Sequence, residues 1–175
     1  FDWGKLTDIP YRAFHKAGFV DLVIPSQFKD ITGNQAFREC KNLKTLAFEE
    51  GVESISGSYV FTNSTAVESV KFPSTMKSIE EGAFYANYAL VSIEWGGVES
   101  IGTLAFSACM ALEELEVPAT IKYVGGSAFH QCEGLKKVVI AAETIDSGAF
   151  MYCKSLTDIE IKPTTTNWIG SNVFI

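Results

Sequence analysis

The chain has 175 residues, of which 47% are apolar and 20% charged, and its formal net charge is −7. That balance supplies enough apolar surface for a core, which excludes a disordered chain. The acidic excess argues against nucleic-acid binding, which needs a basic stripe to displace counterions. No apolar run approaches the roughly 18 residues of a membrane-spanning helix, and no N-terminal stretch has the charged, apolar and small-residue order of a signal peptide.

In chain order, an Ala or Val followed by Phe recurs at Ala13-Phe14, Ala36-Phe37, Val60-Phe61, Ala83-Phe84, Ala105-Phe106, Ala128-Phe129, Ala149-Phe150 and Val173-Phe174. Successive Phe residues lie 23, 24, 23, 22, 23, 21 and 24 positions apart. A period in the low twenties is that of a solenoid, whose coils bury their apolar edges by stacking on one another. The predicted organisation is one solenoid over residues 1–175, with seven coils and the start of an eighth. Because the chain stops mid-coil on Val173-Phe174-Ile175, it reads as a fragment of a longer protein.

Within each coil, positions are counted from the Phe. Leu46, Val70, Ile93, Leu115, Val138 and Ile159 stand at plus nine, and Phe48, Phe72, Trp95, Val117, Ile140 and Ile161 at plus eleven. A two-residue offset with β-branched and aromatic side chains predicts one short strand per coil, such as Thr45 to Glu49, stacked into a parallel sheet. In the first coil Leu22 and Ile24 take these roles one place early, and Pro25 follows. Pro73 and Pro118 end their strands, since Pro cannot continue a ladder. A second apolar column of Ile9, Ile31, Ile55, Ile79, Ile101, Val124, Ile145 and Ile169 marks the other wall. Gly and polar residues between it and the Phe are turn formers. The segment after each Phe holds few Gly or Pro, which predicts a single helical turn.

One coil, Val98-Glu99-Ser100-Ile101-Gly102-Thr103-Leu104-Ala105-Phe106-Ser107-Ala108-Cys109-Met110-Ala111-Leu112-Glu113-Glu114-Leu115-Glu116-Val117-Pro118, carries Ile-Gly, Ala-Phe, Cys and strand-Pro marks. It resembles the BspA-like, or Treponema pallidum-type, leucine-rich repeats, and the resemblance covers nearly the whole chain. Departures are mild: Val60 and Val173 replace Ala, and the Cys column carries Ala17, Ser64 and Asn87. The resemblance implies a right-handed α/β solenoid in a large secreted or surface-attached protein of a bacterium or parasitic protist. It further implies adhesion to host or matrix proteins or to other microbes, and carries no catalytic residues with it.

Cys40, Cys109, Cys132 and Cys153 each lie three residues after a Phe. Such a column places neighbouring Cys roughly 5 Å apart, yet parallel side chains do not offer the crossed geometry of a disulfide. Buried free thiols are the expected state, and no CxxC pair points to zinc. His15 and His130 lie five coils, or roughly 24 Å, apart and cannot share a site. Both are read as surface residues. No phosphate loop, dinucleotide fingerprint, nucleophile elbow or HExxH occurs, so neither an enzyme nor a cofactor is expected. Gly96-Gly97 reads as a turn, and Asn63-Ser64-Thr65 as a chance sequon.

The outward strand positions carry the functional signal. Plus eight reads Asp21, Thr45, Ser69, Ser92, Glu114, Lys137 and Asp158, and plus ten reads Val23, Ala47, Lys71, Glu94, Glu116, Val139 and Glu160. Glu94, Glu114, Glu116, Asp158 and Glu160 are the candidate binding residues, a mildly acidic face for a basic partner. Lys71 and Lys137 interrupt the acids, so a merely solvated face is the favoured reading of these columns. Tyr11, Tyr59, Tyr85, Tyr88 and Tyr152 surround the Phe anchors, where most are expected to pack partly against neighbouring coils, an interface there being the lesser reading. The expected function is a non-enzymatic binding platform for an extracellular, host or neighbouring-cell protein. The alternative is a structural spacer that binds nothing. An exposed apolar patch would favour the platform, and a uniformly charged surface the spacer.

Overall fold

The computed structural model describes residues 2–163 and 168–175. Its thirteen short strands lie on two walls of a parallel β-solenoid. The first wall holds the predicted strands: β1 (Asp21–Ile24), β2 (Thr45–Phe48), β4 (Ser69–Lys71), β6 (Ser92–Glu94), β8 (Glu114–Val117), β10 (Lys137–Ile140) and β12 (Asp158–Ile161). β1 and β8 show the alternation of a half-buried strand, with Leu22, Ile24, Leu115 and Val117 inside and Asp21, Val23, Glu114 and Glu116 outside, whereas all four residues of β12 are exposed. Except between β6 and β8, each pairs residue for residue with the equivalent of the next coil, as in Asp21 with Thr45 and Lys137 with Asp158.

The second apolar column is itself a sheet. Two-residue strands β3 (Ser54–Ile55), β5 (Ser78–Ile79), β7 (Ser100–Ile101), β9 (Tyr123–Val124), β11 (Thr144–Ile145) and β13 (Trp168–Ile169) form one six-stranded parallel ladder. From Ile55 onward the described coils thus have two strands each, a correction to the expected one per coil, while Ile9 and Ile31 lie outside any strand.

The third side corrects the expected helical turns: no α-helix occurs among the described residues. Residues two before and two after each Phe take positive φ, as at Gln35 (56°) and Glu39 (59°), Leu104 (59°) and Ala108 (59°), and Ser127 (56°) and Gln131 (57°). A left-handed residue breaks a right-handed helix. Alternate N–H groups are also diverted to the next coil. Those of Phe37 and Phe84 donate to Val60 O at 2.8 Å and Ala105 O at 2.7 Å. Those between them close three-residue turns, such as Ala36 N–H to Gly33 O and Arg38 N–H to Gln35 O, both 3.1 Å. The backbone donors are therefore divided between neighbouring coils and tight turns, and none is left for a helical ladder.

This turn ladder carries the spine of the core. From Phe14 to Phe174 the eight Phe rings stack in succession, with centroids 5.0–5.6 Å apart and planes within 13°. Beside them, from the second coil to the seventh, the residue three after the Phe bridges to the coil before it. The thiols of Cys40, Cys132 and Cys153 donate to Phe14 O, Phe106 O and Phe129 O at 3.2, 3.3 and 3.2 Å. Ser64 Oγ and Asn87 Nδ2 do the same to Phe37 O and Phe61 O at 3.1 and 3.0 Å. The column therefore selects a small donor, and Cys, Ser and Asn all supply one. All four cysteines are buried free thiols. Burial pushes Cys40 up to about 11 and Cys109 up to about 12.

Candidate functional site

The predicted outward columns do face solvent. Glu94, Glu114, Glu116, Asp158 and Glu160 are all exposed. They do not form one acidic cluster. Glu94 is paired to Lys71 across the β4–β6 rung at 3.0 Å, and Asp158 to Lys137 at 3.5 Å. Glu160 bonds Lys162, and that hydrogen bond with the ammonium charge lowers its pKa. Glu114 and Glu116 have no ion-pair partner among the described residues.

The predicted continuous sheet is interrupted at this place. Its strands form two sheets, β1-β2-β4-β6 and β8-β10-β12, so β6 and β8 face each other as unjoined edges. The other two sides of the same coils remain joined. Ser78 pairs with Ser100 in the second wall, and Phe84 N–H reaches Ala105 O at 2.7 Å in the turn ladder.

Two local features open this side. Where the neighbouring coils continue with Pro73 and Pro118, the fourth coil has Gly96-Gly97. Gly96 has φ of 54°, and a Cβ there would stand 2.3 Å from Pro73 O; at Gly97 it would stand 2.0 Å from Ser74 O. Only glycine permits this approach, which draws the end of β6 onto the third coil. The second feature is Trp95. It stacks on Phe72 at 6.4 Å and reaches past its own coil to meet Phe106 edge-on at 5.5 Å and Phe129 at 6.4 Å. One coil earlier, Phe72 N–H donates to Glu94 O at 2.9 Å. At the opening, the acceptor equivalent to Glu94 O is Glu116 O, and it receives the Trp95 indole N–H at 2.7 Å. A side-chain donor thus occupies the acceptor that the backbone ladder would use.

The result is a cleft of about 460 Å³ lined by Val91, Ile93, Trp95, Leu112, Leu115 and Pro118, with Ser92, Glu114 and Glu116 at its polar rim. Val91 is 52% exposed. Just outside, at plus four, Tyr88 (45% exposed) and Met110 (43%) stand side by side in a column otherwise filled by Gly18, Lys41, Thr65, Glu133 and Lys154. The two coils that part on the strand face are the ones that carry apolar residues at that corner. Sequence reasoning missed the cleft. Its signals were the Trp in the plus-eleven column, the absent Pro and the Tyr and Met at plus four.

The remaining candidates are scattered. His15 is half-buried, its Nδ1 3.0 Å from Arg38 O, and His130 is half-buried with its ring edge-on to Tyr152 at 5.4 Å. Both lie at the surface and are partly covered, and burial lowers the His130 pKa. Tyr11, Tyr88 and Tyr152 are exposed, whereas Tyr59 and Tyr85 are half-buried against each other at 6.2 Å. No group of three metal-ligating side chains comes together among the described residues, and no helix there is long and apolar enough to cross a membrane.

Comparison with solved structures places this geometry among leucine-rich-repeat solenoids. The Treponema pallidum leucine-rich-repeat protein superposes with a TM-score of 0.79 at 24% identity, covering 89% of this chain and 75% of that one. A leucine-rich-repeat protein from Bacteroides ovatus gives 0.76 at 22% identity, covering 97% of this chain and 50% of that one. A leucine-rich cell surface protein from Faecalibacterium prausnitzii gives 0.67 at 25% identity, covering 90% and 52%. The chain thus spans only about half of the latter two. A search of curated proteins returned no match. The sequence profile of the BspA-type leucine-rich-repeat region, in six copies, matches residues 7–136 and 89–175. The chain belongs to the BspA-type leucine-rich-repeat family.

Proposed function

We propose that the chain is a non-enzymatic protein-binding platform of a bacterial cell-surface or secreted protein, and that it works through its outward strand face. The observation that carries this is the exposed apolar group at the fourth and fifth coils, where Tyr88, Val91 and Met110 border a cleft with Ser92, Glu114 and Glu116 at its rim. Exposed apolar groups rimmed by polar residues mark interaction sites. Leucine-rich-repeat proteins commonly bind other proteins, and the similar structures include a cell surface protein and a pneumococcal vaccine antigen. Function on a solenoid lies in what it displays, so the fold alone does not choose the partner.

The test is capture of extracellular and neighbouring-cell proteins by the intact chain and by a Glu94→Lys, Glu114→Lys, Glu116→Lys variant. Capture lost in the variant supports a binding platform on the strand face. Capture unaffected by it keeps the platform and moves the site to the turns and their Tyr residues. No capture by either form favours the spacer.

A further inference from the structure

Resting on that protein-binding reading, we infer that the cleft between β6 and β8 receives one apolar side chain of an extended partner segment, with Lys or Arg of the same segment held by Glu114 and Glu116. Three observations converge on this occupant. The floor is apolar, from Val91, Ile93, Trp95 and Leu115, and the volume of about 460 Å³ falls in the range of clefts that enclose a ligand group. The rim charge is negative and uncommitted. The carboxylates of Glu94 and Glu113 are engaged by Lys71 at 3.0 Å and Lys136 at 2.8 Å, while Glu114 and Glu116 have no ion-pair partner among the described residues. The walls are two unjoined strand edges, the kind of backbone that an extended segment pairs with.

The geometry also fixes the order of the partner's side chains. Glu114 and Glu116 are two residues apart on one strand face, so their carboxylates repeat at the strand period. An extended segment laid along β8 presents every second side chain to that row and those between to the other face. A segment of alternating cationic and apolar residues therefore meets the rim and the floor together. An acidic segment meets the rim with like charge, and a cationic segment without apolar residues leaves Trp95 and Val91 uncovered.

The probe is a fluorescein-labelled hexapeptide alternating lysine and leucine, titrated by anisotropy against the 175-residue chain. Two controls alternate glutamate with leucine and lysine with serine. The expected result is saturable binding of the lysine–leucine peptide alone, weakened about tenfold or more by Glu114→Lys with Glu116→Lys, since these are opposed charges at a rim. Val91→Ser, an exposed position whose change leaves the core intact, weakens it about threefold. Asp158→Lys with Glu160→Lys, an equal charge change two coils away, leaves it unchanged. Absence of saturable binding, equal binding of the lysine–serine peptide, or equal loss from the distant pair overturns the inference. Protein capture by the intact chain that survives the Glu114→Lys, Glu116→Lys change also overturns the cleft while leaving the platform standing. Loss of all capture by the intact chain strikes the platform itself.

Discussion

The turn ladder and the outward strand face are built from the same repeat, yet only one of them is continuous. Eight Phe rings stack without interruption, while the strands beside them part once, between β6 and β8. The difference lies in what fills each column. The Phe column repeats one side chain at one spacing, so each ring finds an identical neighbour and a shared pocket. The plus-eleven column changes from Phe48 and Phe72 to Trp95 and then Val117. Trp95 takes the space that the smaller Val117 leaves, crosses toward Phe106 and Phe129, and captures Glu116 O. Uniform columns make a spine, and a change of volume in a column makes a feature on the surface above it.

That contrast can be broken first at the spine. Phe106→Ala removes a fully buried ring stacked on both sides and should cost about 3–5 kcal/mol, read as a lower urea midpoint. At the opening, Gly96→Ala forces a Cβ toward Pro73 O at positive φ and should cost about 1–3 kcal/mol in the same assay. Trp95→Phe keeps most of the ring and deletes the N–H donor to Glu116 O. It should cost about 1 kcal/mol and leave the exchange of amides in the Phe ladder unaccelerated.

A pH series separates core from surface. The Cys109 thiol is pushed up to about 12 in the fold by burial, against about 8.5 in an unfolded chain. The folded state therefore keeps its proton where the unfolded state has lost it. The contribution is complete below the unfolded value and is lost as pH rises toward about 12. Cys109→Ser should flatten that alkaline decline in urea midpoint. His130, whose pKa is lowered by burial, has the opposite sense: its stability is present above the ordinary His range and falls as pH drops through it. His130→Ala removes the edge contact with Tyr152 and should cost only about 0.5–1 kcal/mol, the smallest effect of the set.

The solenoid was legible because a ring recurring every 21–24 residues leaves few other ways to bury it. The first-wall strands were legible for the same reason, through the two-residue offset of Leu115 and Val117 and their equivalents. The turn ladder was not. Its left-handed positions are occupied by Tyr59, Leu104, Gln35 and Ser127, residues with no preference for that conformation, held there by inter-coil bonds such as Tyr59 N–H to Glu81 O at 2.8 Å. Gly82, Gly148, Asn63 and Asn172 at equivalent places were the available hint, since Gly and Asn tolerate positive φ. Of the candidate site, the exposure of the five acids was legible. Their division was not, because it depends on which Lys each one meets and on a break caused by Trp95 and Gly96-Gly97, neither of which is an outward residue.

The most direct test of the interrupted face is hydrogen exchange of backbone amides along the first wall. Lys136 and Lys137 donate to Glu113 O at 2.7 and 3.2 Å across the β8–β10 rung, whereas the equivalent Glu113 and Glu114 face the opening. The amides of Glu113 and Glu114 should exchange at least about tenfold faster than those of Lys136 and Lys137. Equal protection of the two pairs would mean that β6 and β8 are joined, and that the face carries no cleft.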